Sequence, residues 1–270
     1  MRDGTFSADI AGIGTLGLAW REAGTGVPIL LLHPYPTDGR IWRHQLQAAD
    51  ESALDARLVA IDLPGFGRSS LPDPGPGAFE IESLVAVGAA VAARLDLVRP
   101  VIAGVGIGGT VAAILAPRLN ARALVLIGNK PGGDPPEHAE ARETTAVDVV
   151  RRGSRALSAA LADAALAPET DARAAVEGMI GEADPRAIAA LGRTIAGRPD
   201  IVSFLADLRM PILIAGGSLD PMSPPATVEG LAKSIPGAEL HVIPGAGHMA
   251  PIEAPAAVMA LLARAASLAD

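Results

Sequence analysis

Apolar residues fall along this chain in two alternating textures: short unbroken runs, and longer stretches with a helical repeat. Runs at 16–22 and Val27–Leu32 read as two strands joined by the turn Ala23-Gly24-Thr25-Gly26. A third run at 57–61 ends at Asp62-Leu63-Pro64-Gly65. Ile81, Leu84, Val85, Val91 and Leu95 recur at the spacing of one helix face, which predicts a helix over 80–95. Residues 101–103 form the central strand of the pattern, Ala123–Ile127 and 211–215 two more, and 240–243 a short last one before a carboxy-terminal helix over 254–268. Strands alternating with helices in this way predict an α/β fold, a mostly parallel sheet with helices on both faces.

The alternation stops between about 132 and 200, where Ala, Arg, Glu and Asp recur at helical spacings without a convincing strand. Roughly seventy residues exceed what a crossover between neighbouring parallel strands needs. The stretch is therefore expected to be a helical lid over the strand ends. That divides the chain into a core at 1–131, the lid at 132–200, and a second part of the core at 201–270. Leu71-Pro72-Asp73-Pro74-Gly75-Pro76-Gly77 is the only loop of low-complexity character.

Composition narrows the picture. Half of the 270 residues are hydrophobic but only 3% are aromatic, so the core must be built from Ala, Val, Leu and Ile. A formal net charge of -8 argues against a nucleic-acid surface. There is no cysteine, which leaves disulfides and thiolate chemistry out. No apolar run approaches the roughly 20 residues of a membrane span, and residues 1–5 lack the character of a signal peptide. The expectation is a cytoplasmic protein that handles a small molecule, with no membrane or nucleic-acid partner; oligomeric state is not legible.

Candidate chemistry lies where strands end. Val101-Ile102-Ala103-Gly104-Val105-Gly106-Ile107-Gly108-Gly109 reads as a buried strand, a glycine turn and a helix start. In a G-x-S-x-G nucleophile elbow a reactive serine stands at the centre of such a turn; here that place is Gly106. His33-Pro34-Tyr35-Pro36 follows the second strand, Gly216-Gly217-Ser218-Leu219-Asp220 puts a carboxylate after a later one, and Gly245-Ala246-Gly247-His248 puts an imidazole after the last. Gly104, Gly106 and Gly109 also fit G-x-G-x-x-G, but no acidic residue ends a strand about twenty residues on, so a dinucleotide site is set aside. No His and carboxylate spacing suggests a metal, and no cofactor is implied.

The order elbow, acid, histidine, together with Asp62-Leu63-Pro64-Gly65-Phe66-Gly67-Arg68-Ser69, resembles the α/β-hydrolase superfamily over nearly the whole chain. Within it the chain is most similar to the lid-bearing group of enol-lactone hydrolases, non-haem haloperoxidases and related esterases. The resemblance implies an active site at the carboxyl ends of the strands. It implies a His248–Asp220 dyad and an oxyanion site made by the backbone N–H groups of Tyr35 and Ile107. His33 is expected to brace loops, with substrate contact by His33 or the Tyr35 phenol as a further possibility. The 62–69 loop is expected to be structural and braced by Arg68. Asn129 and Asp134, near an alternative acid position, are set aside in favour of Asp220, and His44 and His138 are read as surface or packing residues. With glycine at the elbow, three readings stand. One is an enzyme in which His248 acts as general base on a small, largely apolar carbonyl compound, without covalent catalysis, as a lyase, isomerase, cyclase or water-mediated hydrolase. The others are a degenerate binding protein, and a serine esterase or lactonase captured as a nucleophile variant. Removal of the serine is expected to vacate space beside His248, under an aliphatic pocket.

Overall fold

The computed structural model describes residues 1–51, 55–73, 75 and 77–268. Its strands are β1 (Arg2–Ile10), β2 (Gly14–Thr25), β3 (Val27–Leu32), β4 (Ala56–Ile61), β5 (Val101–Val105), β6 (Ala123–Ile127), β7 (Ile212–Gly217) and β8 (Glu239–Ile243). They form one sheet in the order β1-β2-β4-β3-β5-β6-β7-β8. The β1/β2 and β2/β4 pairs are antiparallel; from β4 onward every pair is parallel. The parallel strands read as continuous apolar runs because both their faces are covered: every residue of β5, β6 and β7 is buried. Helices α1 (Arg43–Glu51), α2 (Ile81–Arg94), α3 (Ile107–Arg118), α9 (Pro225–Lys233) and α11 (Pro255–Ser267) supply the cover, α1 lying with α11 and α2 with α3. The chain is thus an α/β-hydrolase fold with a mostly parallel sheet.

Between β6 and β7, among the described residues, come α4 (Pro136–Arg152), α5 (Ser154–Asp163), α6 (Arg173–Glu182), α7 (Pro185–Ala196) and the short α8 (Val202–Asp207), with no strand. The strongest of these local signals is at α7. Asp184 caps it by accepting from the Arg186 amide at 2.8 Å, Pro185 opens it, and Ala187, Ile188, Leu191 and Ile195 bury one face. Thr194 ties α7 to the loop before α2 through the backbone of Phe79, at 2.8 and 3.0 Å.

Three elements escape the hydrophobic pattern. β1 alternates exposed and half-buried residues at a sheet edge, with little apolar content, and is held by pairing to β2. Helices α1 and α9 are nine residues each and carry few apolar side chains. The turn expected at 23–26 is a correction: β2 continues to Thr25, paired with β4 through Thr25↔Ala56, so the reversal closes at Gly26.

Candidate active site

The turn between β5 and α3 is built from glycines because backbones meet there. A Cβ on Gly104 would lie 2.3 Å from the Gly108 carbonyl, and one on Gly108 2.6 Å from the carbonyl oxygens of Leu32 and His33. Gly106 has φ +53° and ψ −117°, a region that side chains avoid. The space beside it is not vacant, contrary to expectation: a Cβ there would sit 2.7 Å from Nε2 of His248. The imidazole reaches into the volume that a nucleophile's side chain would need.

His248 is carried by the loop after β8 and is held on three sides. Its Nδ1 lies 2.9 Å from Oδ2 of Asp220. A carboxylate only accepts, so Nδ1 carries the proton, and Nε2 is turned toward Gly106. Oδ1 of Asp220 is occupied in turn by the amides of Met222 and Ser223, both at 2.8 Å. Gly128, at the end of β6, underlies the pair: a Cβ there would fall 2.9 Å from both Oδ2 of Asp220 and Nδ1 of His248. The backbone of His248 donates to Ala165 O at 2.8 Å, in the segment joining α5 to α6.

Glu253, in α10 (Ala250–Glu253), completes this loop. Its carboxylate accepts from the amides of Ala167 (2.7 Å), Gly247 (3.1 Å) and Met249 (3.0 Å), bracketing His248. Burial pushes its carboxyl above the ordinary value in spite of those three donors. Nothing in its sequence context, Pro251-Ile252-Glu253-Ala254, distinguishes it from a surface glutamate.

Tyr35 and Ile107 both line the chamber at Gly106, and among the described residues neither backbone amide donates to an acceptor in the chain. Tyr35 is buried, which pushes its phenol up to about 12. The Arg142 guanidinium stands 5.8 Å above its ring. His33 does not reach the chamber, so substrate contact by it is corrected. It is fully buried, donates from Nδ1 to Pro34 O at 3.0 Å, and accepts the Leu63 amide at Nε2 at 2.9 Å. Burial lowers its pKa and keeps it neutral. The 62–69 loop is braced by Arg21 rather than Arg68. Arg21 meets buried Asp62 at 2.7 Å, while the Arg68 side chain turns outward to Asp3. Asn129 is buried behind the turn, His44 is half-buried and His138 is exposed on α4.

The chamber holds about 30 Å³, enough to admit water, and an outer cleft of about 620 Å³ adjoins it. The cleft, bordered by α4 and the end of α5, shares Tyr35, Lys130, Arg142 and Met222 with the chamber. The outer cleft is lined mainly by apolar groups, Ala141, Leu161, Ala164 and Pro224 among them, while the inner chamber is mixed. Besides Ile107, Ile195 and Met222, the chamber wall carries Lys130, Arg142 and Arg198. Asp134 stands among these cations. It pairs closely with Arg142 and lies 3.9 Å from Lys130 and from Arg198. Burial works against the Asp134 carboxylate, but the Arg142 hydrogen bond and the three positive charges hold it below the ordinary range. Burial lowers Arg198 and Lys130. These residues come from the loop after β6, from α4 and from the loop after α7, so no sequence motif joins them. Among the described residues no group of three or more His, Cys, Asp or Glu side chains is placed to hold a metal, and no helix is long and apolar enough to cross a membrane.

The α/β hydrolase fold family matches this chain over residues 27–255. A thermophilic esterase from Thermogutta terrifontis, solved with malate bound, superposes with a TM-score of 0.90 at 30% identity, covering 99% of this chain and 100% of that one. The enol-lactonase from Burkholderia xenovorans LB400 superposes with a TM-score of 0.84 at 23% identity, over 97% and 100% of the two chains. A haloalkane dehalogenase from Agrobacterium fabrum is 39% identical over 71 residues, 26% of this chain and 22% of its own length.

Proposed function

The chain belongs to the α/β-hydrolase fold family, and from that premise we propose that it is an enzyme of this family working without a covalent nucleophile. In this reading His248, oriented by Asp220, is the general base, and the amides of Tyr35 and Ile107 are the oxyanion donors. Helices α4–α7 serve as the lid. One observation carries the proposal: Nε2 of His248 points into the place a serine would fill, with a small chamber that can admit water beside it. Nε2 takes a proton from a water in that chamber as the water oxygen attacks a substrate carbonyl. The two amides hold the resulting oxyanion. On collapse of the tetrahedral intermediate the imidazolium returns the proton to the departing oxygen, so base and acid are one residue. Proton transfer of this kind contributes about 10²–10⁴ in rate, and an oxyanion donor about 2.7–4 kcal/mol. A reactive substrate such as an enol ester or a lactone suits that sum. The name of the esterase relative favours carbonyl hydrolysis over elimination or isomerisation.

The test is a screen of enol esters, lactones and β-keto compounds followed by His248→Ala. The variant should lose about 10²-fold or more in kcat, and rapid-mixing traces of the parent should show no acyl-enzyme burst. Equal turnover by parent and variant, or a stoichiometric burst, would overturn the mechanism. Silence across the screen, with tight binding of a small molecule, would favour the degenerate binding protein instead.

A further inference from the structure

Lys130, Arg142 and Arg198 share one carboxylate of their own cluster, Asp134: Oδ2 pairs with Arg142, and Oδ1, which takes no hydrogen bond, lies 3.9 Å from both Lys130 and Arg198, so three positive charges face one negative. Asp220, the other acid within electrostatic reach of Lys130, is committed to His248 and two amides. Neither Lys130 nor Arg198 has an acceptor at hydrogen-bond distance among the described residues. Nε of Arg198 is fully buried without a partner on a side chain only 6% exposed. Buried cations are ordinarily paired and hydrogen-bonded, because an unpaired charge out of water is strongly unfavourable. Here buried Arg198 and half-buried Lys130 lack a hydrogen-bonded acceptor on the wall of the chamber that also contains Gly106, Ile107 and His248. Lys130 and Arg142 further line the outer cleft, so the charges stand at the neck between cleft and chamber.

We infer that this neck is a carboxylate-binding subsite, and that the substrate is a small ester or lactone carrying a free carboxylate near its reacting carbonyl. The inference rests on the proposed function for the reaction, but the anion site stands on its own geometry. The planar guanidinium of Arg198 offers paired donors that fit the two oxygens of a carboxylate, and Lys130 adds a point charge. Arg142 is already fixed by Asp134 and by the face of Tyr35, so it is presented without further ordering. A carboxylate held at this neck would direct the rest of a small substrate toward the chamber lined by His248, Tyr35 and Ile107. In a protein of net negative charge, an excess of positive charge in this recess also draws anions to it.

The experiment is titration calorimetry of the full chain with succinate, beside thermal unfolding without ligand. Succinate should bind with an affinity that falls as salt rises. Arg198→Met should weaken it by about 10- to 100-fold, while the melting temperature stays level or rises, because a buried charge whose carboxylate partner is 3.9 Å away and not hydrogen-bonded to it has been removed. His248→Ala should bind succinate as the parent does. Loss of turnover in His248→Ala therefore tests the mechanism, and loss of succinate binding in Arg198→Met tests the subsite. A second variant, Arg142→Gln with Asp134→Asn, removes a pair together and should also weaken binding. Undiminished binding to Arg198→Met would overturn the subsite, as would a lower melting temperature with affinity unchanged, or equal affinity for neutral succinamide. Absence of saturable succinate binding in the millimolar range would do the same. Tighter binding of inorganic phosphate than of succinate would overturn the carboxylate assignment.

Discussion

Gly106→Ser restores the residue that a nucleophile elbow carries, and the structure says that it will not fit quietly. Its Cβ would lie 2.7 Å from Nε2 of His248, where ordinary contact begins at 3.4 Å, so the ring must retreat by about 0.7 Å. The ring is not free to do so: Asp220 holds Nδ1 at 2.9 Å and the His248 amide is bonded to Ala165. Backbone strain at φ +53° costs roughly 1–3 kcal/mol for a side-chain-bearing residue. Loosening a hydrogen bond to a charged group costs about 1.5–3 kcal/mol more, and a new serine–imidazole bond offsets at most about 1 kcal/mol. The balance is roughly 2–5 kcal/mol. For a chain of this length each kcal/mol moves the melting temperature by roughly 2 °C, so the drop should be about 4–10 °C in a calorimetric scan. The same variant should show only a slow, weak burst with an activated ester, since the displaced base is poorly aligned. A variant that melts with the parent and gives a fast stoichiometric burst would refute the reasoning, because it would mean the imidazole yields without cost.

Asp220→Asn should lower kcat by a factor comparable to His248→Ala, because an amide can stabilise the wrong tautomer; a pH–rate profile that keeps its shape and height would contradict this. His33 is held neutral by burial, so its folded pKa lies below the ordinary 6.5. Its contribution to stability is present above pH 6.5 and is lost as pH falls below it, at up to about 1.4 kcal/mol per pH unit. Denaturant titrations of the parent and His33→Gln should show that slope only in the parent. Glu253 has the opposite sign. Its folded pKa is raised above 4.5, so the contribution is present below that value and is lost as pH rises through the folded pKa. Glu253→Gln should flatten the stability curve in that window, and an unchanged curve would refute it.

What could be read from the chain follows from where the forces act. Strands buried on both faces announce themselves as unbroken apolar runs, which is why Ala123–Ile127 is legible to the residue while the half-wet edge strand β1 is not. Asp220 and His248 are legible as candidates because each follows a strand, and the carboxyl ends of parallel strands converge. The encroachment of His248 on Gly106 is a matter of tenths of an ångström and leaves no trace in composition. The cation neck is hidden for another reason. Lys130, Arg142 and Arg198 are separated by 12 and 56 positions and meet only in the folded chain, from the loop after β6, α4 and the loop after α7. A chain with 22 Lys and Arg offers no ground for choosing those three in advance.

The tethers at Ala165 and Ala167 set a timetable as well as a shape. The segment between α5 and α6 is joined to the base loop by the His248 amide and by Glu253, both inside a few residues of the imidazole. On the proposed reading, any motion that draws this segment away must first break the hydrogen bonds that tie it to the loop carrying His248. Opening and competence then exclude one another, like an interlock that cuts power when a door is raised. A ligand that comes sideways through the outer cleft leaves both tethers intact, so traffic by that path can proceed with the machinery still armed.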